Sequence, residues 1–469
     1  MQLKKLEKEK KKKALAEKRA ARKGSKCKGM EEGEEEESGE VVQEQEQEQE
    51  QEEGGEGEKE GGKPASVFTS MTKPDNVEKS CTYEPVANSA SASASALSDP
   101  KQHPGPPRPF NRSMHVAYFR QCLKDGFPHY YTSMDTQRIT AVYFALSGLD
   151  ILGALDSIDS DRMRDAVYAW QLPSLSEAHS GFVGTNCFGQ RPGGCLCICG
   201  GEDSGSGSPC VMTGHLAMTY ASLASLVILG DRELSKVDRP ALVAQVRALQ
   251  QPDGCFAASA GEGEQDLRFV YCACVISHLL GNWDGVNIDA AWRFILSCVT
   301  YEGGLALRPG GEAHGGSCYC GLAALVLMGK LEEAEAERPH FTRALHEYCL
   351  RRQVGGYQGR TNKDPDSCYS FWLGATLRLL GVDAFTDTDL QGTEYFLLEK
   401  CQSDLFGGFS KLPGSMPDIL HSHYSLCWLA MSAQADAKGG EEGTRMGATL
   451  GYSSLRAIDV ATGLCTDRL

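Results

Sequence analysis

From about residue 111 onward the chain alternates long apolar runs with glycine turns. Five of these turns share one form, glycine followed by a bulky apolar residue: "SGFVG" with Phe182, "DGCFAA" with Phe256, "GGLAL" with Leu305, "GGYQG" with Tyr357 and "GGFSK" with Phe409. The spacings between those apolar residues are 74, 49, 52 and 52. A fixed period of this size marks repeated supersecondary units, and the longer first interval is read as an insertion at residues 185–212, which are rich in Gly, Ser and Cys. Between turns, "HLAMTYASLASLVILG", "FVYCACVISHLLG", "GGSCYCGLAALVLMGKLEEA" and "CYSFWLGATLRLLG" carry apolar residues on more than one helical face. Each unit therefore fits two helices of about 10–15 residues closed by glycine. Helices apolar on several sides need neighbours on several sides. The expected fold is all-α, an α/α barrel (α-α toroid) of repeated hairpins, with an open helical solenoid as the alternative. Tyr271, Tyr319, Tyr369, Phe371 and Trp372 fall near inner-helix starts, where they can line a deep apolar cavity.

Composition narrows the folded part of the 469 residues. Residues 1–30 carry 13 Lys/Arg against 3 Glu, and residues 31–63 carry 16 Glu against 2 Lys. Neither block can bury a core, and a Ser/Ala/Pro stretch continues to about residue 110, so 1–110 is read as a disordered charged tail. The barrel is placed at 111–435 and a C-terminal tail at 436–469. The acidic block neutralises the basic one and the net charge is −16, which argues against nucleic-acid binding. There is no apolar run of 18 residues for a membrane span, and so charged an N-terminus lacks the apolar core of a signal peptide. The 19 cysteines are scattered among apolar helical residues, as expected of reduced thiols in a cytoplasmic protein. "CLCICGG" contains no CxxC pair and is read as a loop.

Chemistry gathers in the last two turns. "GGYQGRTNKDPDSCYSFWLG" sets Arg360, Lys363, Asp366 and Cys368 where a helix begins, and one repeat later "GGFSKLPGSMPDILHSHYSLCW" supplies Lys411 and His421. Equivalent ends of adjacent hairpins meet on one rim, so carboxylate, thiolate and imidazole can converge as three ligands of a catalytic zinc with a fourth position open. Asp-x-Cys alone is a weak signal among so many cysteines. Its company strengthens it: His314 precedes two glycines in "AHGGSCYCG", where helix-end amides favour an anion, and Arg268 stands in "DLRFVYCA". Basic groups on successive turns above an apolar pocket imply a diphosphate head with a hydrocarbon tail. His423, close behind His421, is read as a surface residue rather than a competing ligand.

These runs resemble the protein prenyltransferase β-subunits, and among them the type I protein geranylgeranyltransferases. The resemblance spans about His115 to Met431 and is carried by "FALSGLDIL", "GHLAMTY", "RFVYCA", "HGGSCYCGLAAL", "GRTNKDPDSCYSFW" and "PDILHSHY". It implies one zinc ion per β-subunit on Asp366, Cys368 and His421. It implies that His314, Arg360, Lys363 and Tyr369 hold the diphosphate, with Gly315 and Gly316 allowing close approach, and that Arg268, Tyr271, Cys320 and Trp372 line the isoprenoid channel. A substrate thiolate then attacks the first isoprenoid carbon while the basic groups stabilise the departing diphosphate.

Two positions point within the family. Thr140 stands where farnesyltransferases carry a bulky Trp, leaving room for geranylgeranyl. Lys411 stands where an Asp otherwise recruits magnesium, so magnesium should not be needed. The pocket for the acceptor's last residue maps to Thr140, Phe269 and Leu420, which suits C-a-a-X proteins ending in Leu or Phe, such as small GTPases. "SPCVMTGH" departs from the family's Asp before Ser/Thr-Gly-His. The resemblance also implies a heterodimer with a helical α-subunit that adds a further lysine to the diphosphate site. The rivals are a farnesyltransferase-like β-subunit, a noncatalytic lipid-binding helical scaffold and a terpene cyclase; the sequence has no DxDD or DDxxD cluster for the last.

Overall fold

The computed structural model describes residues 106–124, 134, 136–173, 177–185, 213–261, 263–381, 385–438 and 446–469. Six inner helices are α2 (Arg138–Ile151), α4 (Leu216–Ile228), α6 (Leu267–Leu280), α8 (Gly315–Met328), α11 (Ser367–Leu380) and α13 (Ile419–Lys438). Each packs on the next, and α13 returns to α2, so the ring is closed. The outer layer is α1 (Arg112–Lys124), α3 (Ser160–Tyr168), α5 (Arg239–Leu249), α7 (Ile288–Ser297), the short α9 (Leu331–Glu337), α10 (Phe341–Arg351) and α12 (Leu390–Tyr395), which runs on into a π-helical turn at Phe396–Cys401. The barrel expected from the repeat is thus observed, and the open solenoid is not.

The two layers differ as their sequences require. In α2 every residue from Ile139 to Ile151 is buried, because one side meets the outer layer, two sides meet inner neighbours and the last faces the lumen. Outer helices bury one stripe; α10 hides Phe341, Leu345, Tyr348 and Cys349 and exposes Arg343, Glu347 and Arg351. The repeated turn is a device of its own. Gln250 bridges Phe256, Val299 bridges Leu305, Gln353 bridges Tyr357 and Gln402 bridges Phe409, and those four apolar partners are fully buried.

Glycine is required where a turn passes close to the next outer helix. Gly254 has φ +92°, and a Cβ there would lie 2.1 Å from the Ala290 carbonyl oxygen of α7. Gly407 repeats this with φ +72° and 2.2 Å to the Met114 carbonyl oxygen of α1, so the last turn rests on the first outer helix. His115 fastens the same seam. Its ring is stacked between Phe110 and Phe409, with both centroids 4.7 Å away. Nδ1 accepts from the Gly408 N–H at 2.9 Å and Nε2 lies 2.9 Å from Gln402 Oε1, which fixes a neutral tautomer with the proton on Nε2.

Both ends of the chain depart from the sequence reading. Before residue 111, Arg108 already hydrogen-bonds the carbonyls of Glu399 and Gln402 and pairs with Glu399 and Asp404, so the packed part begins inside the predicted tail. The reading of 436–469 as a tail fails for residues 446–469. After α14 (Met446–Leu450) this segment forms a strap on the barrel, with Tyr452, Ile458, Leu464 and Cys465 buried. Arg456 and Arg468 pair with buried Asp150 of α2, and Tyr452 donates to buried Glu394. Of the insertion, residues 186–212 lie outside the described residues, and so does "CLCICGG". The twelve cysteines among the described residues are free and buried. No helix among the described residues is long and apolar enough to cross a membrane.

Candidate active site and metal centre

One rim of the barrel is built by repetition. Four inner helices start on a side chain in extended backbone conformation that accepts a hydrogen bond from the N–H two residues on, satisfying an orphan helix donor. The pairs are His215 Nδ1 with Ala217 N at 3.1 Å, Asp266 Oδ1 with Arg268 N at 2.9 Å, His314 Nδ1 with Gly316 N at 3.0 Å and Asp366 Oδ1 with Cys368 N at 3.0 Å. At α13 the role passes to Asp418, which accepts from His421 N at 3.0 Å. Imidazoles and carboxylates are thus set around one rim by the needs of helix starts.

Three of these side chains converge. Asp366, Cys368 and His421 each offer a ligand atom, all within 4.8 Å of one another, and all three residues are buried. His421 Nε2 lies 3.1 Å from Asp366 Oδ1, while His421 Nδ1 lies 2.6 Å from Asp418 Oδ2. Asp418 therefore orients the ring and leaves Nε2 facing the other two donors, the arrangement a metal-binding histidine uses. The sequence reading missed Asp418; its signal was an acidic residue three before His421, at a helix start. Lys411 Nζ stands 3.8 Å from Asp366 Oδ2.

Electrostatics fit a cation at this point. Burial works against the Asp366 carboxylate, but the hydrogen bonds and charge of His421 and Cys368 outweigh it and hold its pKa below the ordinary value. Burial likewise opposes charge on His421, and its hydrogen bonds to Asp366, Asp418 and Cys368 raise its pKa well above the usual imidazole value. Burial, then the Asp366 charge, push the Cys368 thiol up to about 12. A metal ion reverses this logic, displacing the imidazole and thiol protons while leaving the carboxylate ionised. One carboxylate, one thiolate and one imidazole form a donor set that suits a tetrahedral divalent ion with one position left for substrate.

Beside the triad lie the side chains expected to hold an anion. His314 Nε2 is 2.7 Å from the Tyr369 hydroxyl. Because Nδ1 accepts from Gly316, Nε2 carries the proton, and the Tyr369 O–H is left to donate outward. Burial, with the Arg360 and Arg268 guanidiniums, pushes the His314 pKa down to about 3, so this imidazole acts as a neutral donor. Gly315 packs against Tyr369 and Leu373 closely enough that a Cβ would meet them at 3.0 and 3.1 Å. Gly316 supplies the N–H that His314 caps. Arg360 pairs with Glu312 at 2.9 Å, and Lys363 is exposed. Arg268 differs from its expected part in a basic rim: it is buried, with Nε and Nη2 on Asp266 at 2.9 and 2.5 Å and Nη2 also 3.1 Å from Glu264. Its charge is already matched.

Below the rim, Tyr271, Cys320 and Trp372 line one lumen together with Tyr143, Tyr220, Tyr319, Phe371 and Tyr424. His423 also faces this lumen, 2% exposed and stacked on Phe144 at 5.0 Å, so the surface reading of this residue is corrected. The α13 register explains it, since two residues past the rim position turns the side chain inward. Thr140 is buried with its hydroxyl 3.5 Å from Met218 Sδ, Phe269 is fully buried and Leu420 is half-buried beside His421. His215, which the sequence reading passed over, packs edge-on against Phe269 with ring centroids 5.7 Å apart. Its signal was the same His-before-helix pattern that marked His314.

A helical toroid with a candidate metal-ligand triad and hydrogen-bond donors on its rim, at the mouth of an aromatic lumen, is suited to a ligand with an anionic head and an apolar body. Residues 110–463 match the prenyltransferase alpha-alpha toroid domain. The chain is 39% identical over 335 residues to the geranylgeranyl transferase type-1 subunit beta of Arabidopsis thaliana, covering 69% of this chain and 86% of that protein. It is 34% identical over 324 residues to the Dictyostelium discoideum protein of the same name, with 67% and 89% covered. The Schizosaccharomyces pombe protein farnesyltransferase subunit beta is 31% identical over 368 residues, with 76% and 86% covered. In fold the chain is similar to the Candida albicans protein geranylgeranyltransferase-I complexed with GGPP, with a TM-score of 0.62 at 23% identity, covering 77% of this chain and 97% of that one. The chain belongs to the protein prenyltransferase β-subunit family.

Proposed function

We propose that this chain is the catalytic β-subunit of a zinc-dependent protein geranylgeranyltransferase type I. It transfers geranylgeranyl from its diphosphate to the cysteine of proteins ending in C-a-a-X with X as Leu or Phe, and works with a prenyltransferase α-subunit in the cytoplasm. The observation that carries the reading is the convergence of Asp366, Cys368 and His421 within 4.8 Å, beside the His314–Tyr369 donor pair and above the tyrosine-lined lumen.

Asp366, Cys368 and His421 would hold the zinc, with Asp418 fixing the imidazole. Zinc bound there would lower the pKa of an acceptor thiol occupying its fourth position, so that the thiolate is available near neutral pH. The acceptor sulfur then bonds to the first isoprenoid carbon as the bond from that carbon to the diphosphate oxygen breaks; the thiol proton has gone to solvent. Tyr369, held by His314, donates to the departing diphosphate, and Arg360 and Lys363 balance its charge, with Glu312 released from Arg360 when the anion enters. Lys411, 3.8 Å from Asp366, would supply positive charge to the diphosphate directly, so magnesium is not required. The buried lumen takes the hydrocarbon, and Thr140, Phe269 and Leu420, joined by His215, form the pocket for the acceptor's last residue.

The test is co-expression with a prenyltransferase α-subunit and assay of transfer from geranylgeranyl and farnesyl diphosphate to peptides ending in Leu or Ser, with and without magnesium. Magnesium-independent geranylgeranylation of the Leu peptide, lost in Cys368→Ala, supports the reading. Preference for farnesyl and Ser replaces it with a farnesyltransferase-like subunit, and bound zinc without transfer favours a lipid-binding scaffold.

A further inference from the structure

Arg268 and Arg352 are the buried arginines among the described residues, at 6% and 8% exposed. Arg268 is matched by Asp266 and Glu264. Arg352, just past the end of α10, has no carboxylate within ion-pair distance among the described residues. Its guanidinium lies over the Tyr348 ring at 5.1 Å, Nη1 donates to the Thr361 hydroxyl and Nε has no hydrogen-bond partner. A buried cation with one neutral partner is costly, and the carbonyl end of a helix and an aromatic face offset only part of that cost. Thr361 stands between the two residues expected to take the diphosphate. Arg360–Lys363 is a turn closed by Lys363 N donating to the Arg360 carbonyl at 3.4 Å, with Thr361, Asn362 and Lys363 exposed. Asn362 has φ +60°, in the left-handed region that asparagine tolerates. At the stem of the same loop Gln358 bridges Pro365, and Gln358 N donates to the Arg352 carbonyl at 2.8 Å. Arg352 thus grips the loop twice, by its carbonyl at the stem and by its guanidinium at the tip.

We propose that Arg352 is a positioning residue for the diphosphate, fixing through Thr361 the turn on which Arg360 and Lys363 stand. The inference rests on the function proposed above and adds to it a residue behind the binding site. An exposed turn without this grip would have to be ordered when the anion arrives, and that entropy would be subtracted from binding. Held beforehand, the turn leaves only the Arg360 and Lys363 side chains to settle. The unmatched charge fits the same role. An apolar side chain of similar length would pack at position 352 at less cost to the fold, so the guanidinium is kept for what it holds rather than for stability. Arg352 touches no reacting atom and acts through Thr361.

The full chain with its α-subunit is titrated with geranylgeranyl diphosphate and with geranylgeraniol, which carries the tail without the head. Thr361 is exposed, so Thr361→Val removes the hydroxyl without disturbing the core. It is expected to weaken geranylgeranyl diphosphate about tenfold and leave geranylgeraniol unaffected, and Thr361→Ser should restore binding to within about twofold of the wild type. In turnover the loss falls on KM for the donor, with kcat changed far less. Arg352→Met is expected to weaken the diphosphate by the same factor while leaving Tm unchanged or raised, the reverse of a purely structural arginine. Because both residues act through one contact, Arg352→Met combined with Thr361→Val should bind no more weakly than Arg352→Met alone. Thr361→Val binding geranylgeranyl diphosphate as the wild type does, or Arg352→Met lowering Tm with binding intact, overturns the positioning role alone. A wild-type heterodimer that binds no geranylgeranyl diphosphate overturns the function on which it rests, and the positioning role with it.

Discussion

Asp266 and Asp366 occupy the same place in two hairpins a hundred residues apart, and they do different things. Each caps an inner helix by accepting from the N–H two residues on, at 2.9 and 3.0 Å. At Asp266 the residue two on is Arg268, which folds back to neutralise its own cap. At Asp366 it is Cys368, which cannot, and the adjacent helix brings His421 to 3.1 Å. At both of these helix starts the fold supplies a buried carboxylate. Whether it becomes a closed salt bridge or part of a candidate metal site depends on one neighbour in sequence and one across the ring.

The largest effect is expected from removing that neighbour. Cys368→Ala should abolish stoichiometric metal, read by elemental analysis of the purified heterodimer, and cut transfer by more than about a hundredfold, since even outer-shell losses cost 10–100-fold. The opposite site should answer in stability instead. Arg268→Met strands two carboxylates near a buried cap and should destabilise the fold by about 3 kcal/mol in chemical denaturation, with metal content unchanged. Should both variants lose metal, the contrast between the two caps is wrong.

Asp418→Ala sharpens the comparison at the partner histidine. Metal affinity should fall about 10–100-fold in competition with a chelator, with kcat per bound metal changed far less. The smallest effect concerns acid. Burial pushes His115 and His215 down to about 4, and His314 and His423 to about 3. Each is neutral when folded and protonates near pH 6.5 when unfolded. The unfolded chain therefore binds more protons below that pH, and stability should fall from about pH 6.5 toward pH 4. For His115 alone the loss at pH 5 is about 2 kcal/mol, and His115→Gln should lessen the dependence of Tm on pH; an unchanged pH profile would show that the ring-closing histidine is not the group responsible.

Much of this was legible in the chain because repetition writes itself into sequence. The Gly-apolar turn gave the period, and the period gave the ring and brought Asp366, Cys368 and His421 to one rim. What escaped notice depends on contacts without local pattern. The strap is anchored by Arg456 and Arg468 on Asp150, more than three hundred residues away in sequence, and by tyrosine hydroxyls on its carbonyls, so no apolar periodicity announced it. His423 was misplaced because its neighbour His421 sits at the rim, and two residues of helix carry a side chain from mouth to lumen. Arg268 was counted among the basic groups of the rim because the acids that claim it, the cap Asp266 and its neighbour Glu264, are not distinguished by composition from solvent-facing charge.

The most direct measurement replaces the bound metal with cobalt(II) in the complete heterodimer and follows the thiolate-to-cobalt charge-transfer absorption. One cobalt per chain is expected, with a band that Cys368→Ser removes and that grows when a peptide ending in C-a-a-Leu is added, because a second sulfur enters the open position. A band insensitive to Cys368, or unchanged by saturating peptide, would contradict a metal centre built from Asp366, Cys368 and His421 that presents the acceptor thiolate for transfer.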